Sequence, residues 1–152
     1  MRFEKQSTAQ TAVNAIILFW VGQHRMAIWA HGVQEIRVDL GLAPAEMGCQ
    51  SVLYAHTLFN VPPGRDARLI VLKGGDVGVG VDRVERMIET AEPHALPQAF
   101  QGSERLWYLG LVDAEGALVP LLNPETLESE AVRRELEMFD AAWAAEHSTD
   151  AP

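Results

Sequence analysis

Residues 68–81, RLIVLKGGDVGVGV, carry the strongest secondary-structure signal in this sequence of 152 residues. Two runs of aliphatic residues flank the turn Lys73-Gly74-Gly75-Asp76, and this arrangement predicts a β-hairpin. In the second run, three valines share one face of the strand, while two glycines leave the other face bare. Strand glycines usually mark a sharp bend or the close approach of another backbone. We therefore expect a strongly curved strand of the kind that small barrels contain.

Two further pairs of apolar runs predict β-hairpins on either side of this one. The earlier pair, residues 16–21 and 26–29, is separated by a four-residue polar turn that contains glycine. The later pair, residues 106–112 and 117–122, is separated by the turn Asp-Ala-Glu-Gly. Because the three hairpins do not alternate with helices, the sequence excludes doubly wound and (β/α) barrel folds and favours small β-barrels.

The segments between the hairpins are less decisive. Residues 33–38 fit either one helical turn or a bent strand, and the pattern leaves both open. Residues 39–50 are rich in Gly, Ala and Pro and predict a loop with at most one turn of helix. Residues 51–59 begin like a strand and end like a helix. Acidic and basic residues interleave at 82–86, which predicts a solvated, salt-bridged surface turn.

A terminal helix is predicted to begin at Asn123-Pro124, since Asn is a preferred N-cap and Pro is favoured at the first helical position. The helix is expected to run to about His147, with an acidic face opposite an apolar stripe. The stripe consists of five residues: Leu127, Val132, Leu136, Phe139 and Trp143.

Composition limits the classes of function. Apolar residues make up 48% of the chain, enough to bury a core, and its length suits one ordinary domain or two very small ones sharing a core. Residues 1–13 are polar and lack periodicity, so they are expected to be disordered; the domain is expected to span 14–147, followed by a tail (148–152). The net charge of −9 and the lack of a Lys/Arg cluster argue against nucleic acid as a partner. No signal peptide is evident and no apolar run could cross a bilayer, so the sequence predicts a cytoplasmic protein.

No residue pattern predicts catalysis, a cofactor or a metal. The glycines at 74–80 lie in an alternating strand, whereas a phosphate-binding loop places them between a strand and a helix. The five histidines lack metal-ligand spacing, and the single cysteine, Cys49, excludes a disulfide within the chain. Cys49 and His56 could form a nucleophilic pair, but a structural thiol is the better interpretation because no neighbouring residue would activate it. We therefore predict no enzyme activity.

Three stretches share their order and spacing with a known family. They are IILFWVGQHRMAIWAHGVQEIR (16–37), RLIVLKGGDVGVGVDRVERMI (68–88) and YLGLVDAEGALVPLLNPETL (108–127). Taken together, they resemble the CheW-like family of chemotaxis coupling proteins. Members of that family usually carry a longer segment after Val-x-Glu-Ile, including Gly-x-x-Asn-Leu-Arg-Gly, where this chain has only residues 38–50.

The resemblance implies a mainly β fold of two intertwined, five-stranded SH3-like barrels with a hydrophobic groove between them and a C-terminal helix. The first barrel is expected to be shortened. The resemblance also implies a non-enzymatic adaptor. This adaptor would couple the cytoplasmic tip of a chemoreceptor to the regulatory domain of a CheA-type histidine kinase. It would work in arrays at the membrane without inserting into the bilayer.

The residues that the resemblance would place near the partner surface are Val33, Glu35, Ile36, Arg37, Val79, Val81 and Asp82. A place in the core is the alternative for each valine. Glu35 and Arg37 are the better contacts, because they are polar between apolar neighbours and would set specificity more than affinity.

Two other functions remain open. The missing Asn-Leu-Arg-Gly segment lies where family members engage partners, so the chain could be a divergent module of another motility or regulatory pathway. It would then bind a different partner or itself, through the terminal helix and the remodelled loop. Alternatively, the chain could be a small-molecule-binding or catalytic barrel that uses Cys49 and His56.

Overall fold

The computed structural model describes residues 14–90, 92–100, 102 and 104–147, so the predictions for residues 1–13 and 148–152 lie outside the described residues. The described chain is mainly β. Its strands are β1 (Asn14–Val21), β2 (His24–Trp29), β3 (Val33–Val38), β4 (Ser51–Tyr54), β5 (Arg68–Leu72), β6 (Val77–Val81), β7 (Arg83–Thr90), β8 (Tyr108–Ala114) and β9 (Ala117–Leu122). Its α-helices are α1 (Ala55–Leu58), α2 (Glu104–Trp107) and α3 (Pro124–His147), and two 3-10 turns cover Ala30–Gly32 and Pro44–Met47.

The strands form two sheets, and the chain passes from the first to the second and back. The first sheet has five strands in the order β7-β1-β2-β9-β8, and the second has four in the order β3-β5-β6-β4. The prediction of two intertwined SH3-like units with a terminal helix is therefore confirmed. The smaller sheet contains β3 and β4, which flank the segment that the sequence identified as short.

All three predicted hairpins are present as antiparallel pairs. Representative partners are Ile17 with Ile28, Ile70 with Val79, and Val112 with Val119. Residues 33–38 are a strand that pairs with β5, which settles the choice that the sequence left open. The expected strand followed by a helix is found within residues 51–59, and one 3-10 turn lies within the loop 39–50.

Two local predictions are wrong. Leu106 and Trp107 belong to α2, and the strand begins only at Tyr108. Residues 83–86, predicted as part of a salt-bridged surface turn at 82–86, belong to the edge strand β7. The ion pairs themselves are present, because Glu85 pairs with Arg25 and Arg86. The alternation of β7 was hidden by a β-bulge: Leu18 pairs with Arg86 and Phe19 with Val84, which leaves Glu85 between them as the extra residue.

The bare face of β6 is covered by the side chains of neighbouring residues. The strand glycines had suggested a sharp bend or the close approach of another backbone. A Cβ on Gly78 would lie 2.9 Å from Cδ1 of Leu69, and a Cβ on Gly80 would lie 2.5 Å from Cδ1 of Tyr54. Glycine is therefore required at both positions to let the neighbouring side chains fold over the strand. All five residues of β6 are buried as a result.

The main core lies between the two sheets. It joins Phe19 and Ile28 of the first sheet to Leu53 and Ile70 of the second, and Leu127 of α3 closes it. Beside the β1–β2 turn, a cavity of about 450 Å³ is lined by residues 22–24 and 61–64.

The start of α3 agrees with the prediction, but its apolar stripe does not. Oδ1 of Asn123 accepts a hydrogen bond of 3.1 Å from the backbone N–H of Glu125, as an N-cap does. Leu127 and Ala131 are 0% and 2% exposed and face the core. The other four residues of the stripe lie on the far side of the helix, because a step of five residues from Leu127 to Val132 turns the helix by about 140°.

Candidate protein-interaction site

Strand β3 forms one edge of the smaller sheet, and apolar side chains line its outer surface. Ile36 and Val38 are 40% and 57% exposed, and Leu40 and Leu42, in the segment that follows, are 68% and 41% exposed. We call these four residues the β3 apolar row. Grouped apolar side chains that remain exposed typically mark a site of interaction, and an edge strand also offers backbone groups to a partner.

On the opposite face of β3, Glu35 and Arg37 form an ion pair. Nη2 of Arg37 donates to Oε1 of Glu35 at 2.6 Å, and Nε donates to the same oxygen at 2.9 Å. The hydrogen bond from Arg37 lowers the pKa of Glu35, so the carboxylate stays ionised near neutral pH. With side chains 40% and 38% exposed, the pair presents fixed charges to solvent on the face of β3 opposite Ile36 and Val38.

The loop after β3 packs against the same arginine. Nη1 of Arg37 donates to the carbonyl oxygen of Met47, at the end of the 3-10 turn. Gly48 has a φ of +79°, and a Cβ there would lie 3.0 Å from Nη1, so glycine is suited to this position. Arg37, Leu40, Met47 and their neighbours enclose a cavity of about 340 Å³ that opens beside the β3 apolar row.

The other predicted site residues have structural surroundings. Val79 and Val81 are only 1% and 5% exposed, so the structure places them in the core, which was the alternative interpretation. Val33, half-buried, packs against the same core. Asp82 accepts a hydrogen bond from the backbone N–H of Gly22, and its own N–H donates to the carbonyl of Trp20 at 3.0 Å. These contacts make Asp82 a link between β7 and the β1–β2 hairpin.

The surroundings of Cys49 do not favour nucleophilic chemistry. Its side chain is buried in a cluster with Met47, Leu69 and Val71, and burial raises the pKa of the thiol, which keeps it protonated. His56 instead packs near the ring of Tyr54, with centroids 5.8 Å apart. Across the described ranges, no group of three or more His, Cys, Asp or Glu side chains is placed to hold a metal ion.

The sequence matches no family model and no curated protein. A solved structure does match it: the scaffolding protein TtCheW from Thermoanaerobacter tengcongensis superposes with a TM-score of 0.61, covering 72% of this chain and 84% of that chain. This chain has the CheW fold. Sequence identity is 15%, so the likeness concerns the fold alone. The architecture expected from the three sequence stretches is thereby confirmed.

Within this CheW-like fold, the sequence did not reveal which face of α3 is free. Val132, Leu136, Phe139 and Trp143 are 55–66% exposed and point away from the sheets. Their spacing was visible in the sequence, but the helix had two apolar faces, and the narrow one, formed by Leu127 and Ala131, is buried. None of the helices in the described part of the chain is long and apolar enough to span a membrane.

Proposed function

We propose that this protein is a non-enzymatic adaptor of chemotaxis-type two-component signalling. It would couple chemoreceptors to a CheA-type histidine kinase by binding the regulatory domain of the kinase and the cytoplasmic tip of the receptor. The observation that carries the proposal is the β3 apolar row, which is exposed on a fold similar to that of a scaffolding protein.

The β3 edge has the properties of a contact surface for another protein. Val38 and Leu40 are more than half exposed. Removing their apolar area from water on binding would contribute a favourable free energy of about 25 cal/mol per Å². A partner that wraps around this edge would also meet the ion pair of Glu35 and Arg37 on the opposite face of β3, and the pair would favour matching charges in it. Stable complexes bury about 1,200–2,000 Å² in total, so a partner would have to cover the row and its surroundings.

A non-enzymatic role agrees with the state of the candidate nucleophile. Cys49 is buried and its pKa is raised, so a thiolate is not available near neutral pH. We further propose that the protein resides in the cytoplasm and is recruited to receptor arrays through its partners, since binding to a receptor tip would bring it to the membrane without insertion.

Calorimetric titration with a purified CheA-type regulatory domain and, separately, with a receptor-tip fragment tests the proposal. Val38→Asp should weaken binding at least tenfold, because it would bury a charge in the apolar row. Leu118→Asp is the matched control, since Leu118 is 56% exposed on β9 of the other sheet and Val38 is 57% exposed. Absence of binding by the unchanged protein to both fragments would contradict the proposal, as would equal affinities for the two variants.

One observation favours a second candidate function, a divergent module of another motility or regulatory pathway. Four large apolar side chains of α3 face solvent, and they lie on a different element from the β3 apolar row. A partner that binds the Val38→Asp variant normally but not a Leu136→Asp variant would favour this function over coupling through β3.

A further inference from the structure

The exposed face of α3 is unusually apolar for a surface helix. We call Val132, Leu136, Phe139 and Trp143 the α3 stripe; each is 55–66% exposed. All residues from 135 to 147 are exposed, so the second half of the helix is accessible along its length. A surface helix normally buries its widest apolar face, so this stripe lacks the partner that its pattern calls for.

The spacing of the stripe is that of a coiled-coil seam. Its residues step by four, three and four, which corresponds to heptad positions d, a, d and a. Ser129 and Glu125 occupy the preceding a and d positions, so the seam begins at Val132. This pattern suits another α-helix that supplies about four layers of apolar side chains.

We propose that two copies of this chain associate through the α3 stripe as an antiparallel helix pair. In that arrangement an a position faces a d position, so Val132 lies opposite Trp143 of the second copy, and Leu136 lies opposite Phe139. A two-fold axis then passes between Leu136 and Phe139, and each large side chain meets a differently shaped one. The proposal concerns a different face from β3, so it does not depend on the proposed function.

The flanking charges favour the antiparallel orientation. Arg133, which already pairs with Glu130 and Glu137 of its own helix, and Asp140 occupy the e positions. Because e faces e in an antiparallel pair, each arginine also faces the aspartate of the other copy. The facing g positions are Glu135 and Ala142, which do not repel. In a parallel pair, e would face g instead, so Asp140 would meet Glu135 twice and Arg133 would meet Glu128 twice. The antiparallel orientation thus has two attractive contacts, whereas in the parallel one two attractive and two repulsive contacts offset each other.

The surface around Val132 leaves space for the second helix. Glu125, Glu128, Ser129 and Val132 line a shallow, open depression at the end of the stripe where Trp143 of the second copy would lie. An aromatic side chain covers roughly 150–250 Å² when buried, and Val and Leu cover somewhat less. Because each side chain of the stripe is more than half exposed, about half of its area remains to be covered. Eight such side chains bury roughly 800 Å², below the size of permanent interfaces, which predicts a weak, reversible dimer.

Sedimentation equilibrium of the full chain between about 1 μM and 1 mM measures this association without any kinase or receptor. The unchanged protein should show a concentration-dependent rise towards twice the monomer mass. Leu136→Glu should raise the dissociation constant at least a hundredfold, because it buries a charge in the seam. Val38→Glu serves as the control on the β3 apolar row and should leave the constant unchanged. Circular dichroism confirms that each variant keeps its fold.

The charge pattern supplies a test of orientation. In the antiparallel pair, Asp140→Arg should raise the dissociation constant about tenfold, because each new arginine faces Arg133 of the other copy. Adding Arg133→Glu should restore the original dissociation constant. In a parallel pair the same Asp140→Arg change would strengthen association by facing Glu135. Tighter association of this variant would therefore overturn the antiparallel arrangement. A monomer at every concentration, or dimers unaffected by Leu136→Glu, would overturn the proposal as a whole.

Discussion

Leu127 and Leu136 lie on the same helix and offer the sharpest test of how α3 is seated. Leu127 is 0% exposed and belongs to the main core, whereas Leu136 is 59% exposed on the far side. Replacing either by alanine removes the same atoms, and alanine favours the helix equally at both positions. Any difference between the two variants therefore reports burial alone.

The structure sets the expected magnitudes. Leu127→Ala would leave a cavity under the helix and should lower the free energy of unfolding by about 3 kcal/mol, within the range for fully buried leucines. Leu136→Ala loses little contact and should change it by less than about 0.5 kcal/mol. With an m-value of about 2 kcal/mol per M of urea, the first substitution moves the midpoint by about 1.5 M and the second hardly at all.

Urea unfolding, followed by far-ultraviolet circular dichroism at about 1 μM protein, measures both variants in the monomer. Similar midpoints for Leu127→Ala and Leu136→Ala would show that the two leucines are equally buried. A larger loss for Leu136→Ala would mean that the stripe faces the core, and the seating of α3 described above would be wrong.

Three further predictions concern other parts of the molecule. Glu85→Gln should lower the free energy of unfolding by about 1 kcal/mol near pH 7 and flatten the fall of stability below pH 5, measured by urea titrations. Hydrogen bonding from Arg25 lowers the pKa of Glu85 in the folded state. The stabilisation from Glu85 is therefore present above its unfolded-state pKa and lost as the pH falls through the folded-state value, and an unchanged pH profile would contradict this. Gly110→Ala should lower the free energy of unfolding by about 2 kcal/mol and speed amide exchange in β8. A Cβ there would overlap the carbonyl oxygen of His94 and break the two backbone hydrogen bonds between His94 and β8. Amide exchange as slow as in the unchanged protein would refute this. Cys49 should react with a disulfide reagent only as the protein unfolds, and rapid labelling of the native protein would show that the thiol is accessible.

The sequence predicted those parts of the fold that local signals determine. Each hairpin joins neighbouring strands through a short glycine-containing turn, so the run of apolar residues and the turn together set the pairing. The parallel pairing of β4 with β6 joins segments far apart in the chain, and no local pattern encodes it. The strand β7 was missed because the bulge at Glu85 interrupts its alternation.

The sequence offered less for the candidate site. It suggested that Glu35 and Arg37 are exposed because they alternate with apolar residues, whereas the structure has both half-buried and leaves Ile36 between them 40% exposed. Val79 and Val81 have the same alternating pattern, but β6 lies between β4 and β5 and both its faces are covered. Alternation shows which residues share a face, whereas burial of that face depends on which strands and helices surround it.

The path of the chain between the two sheets has a consequence for the kinetics of folding. Strand β1 pairs with β7, and its partners, from Trp20–Arg83 to Asn14–Thr90, are separated by 63 to 76 residues along the chain. Closing a loop of that length costs conformational entropy before any contact is gained, and the cost falls once the intervening strands have collapsed. We therefore expect the hairpin of β5 and β6 to form early and the junction of β1 with β7 to be among the last steps, so substitutions at that junction should chiefly accelerate unfolding.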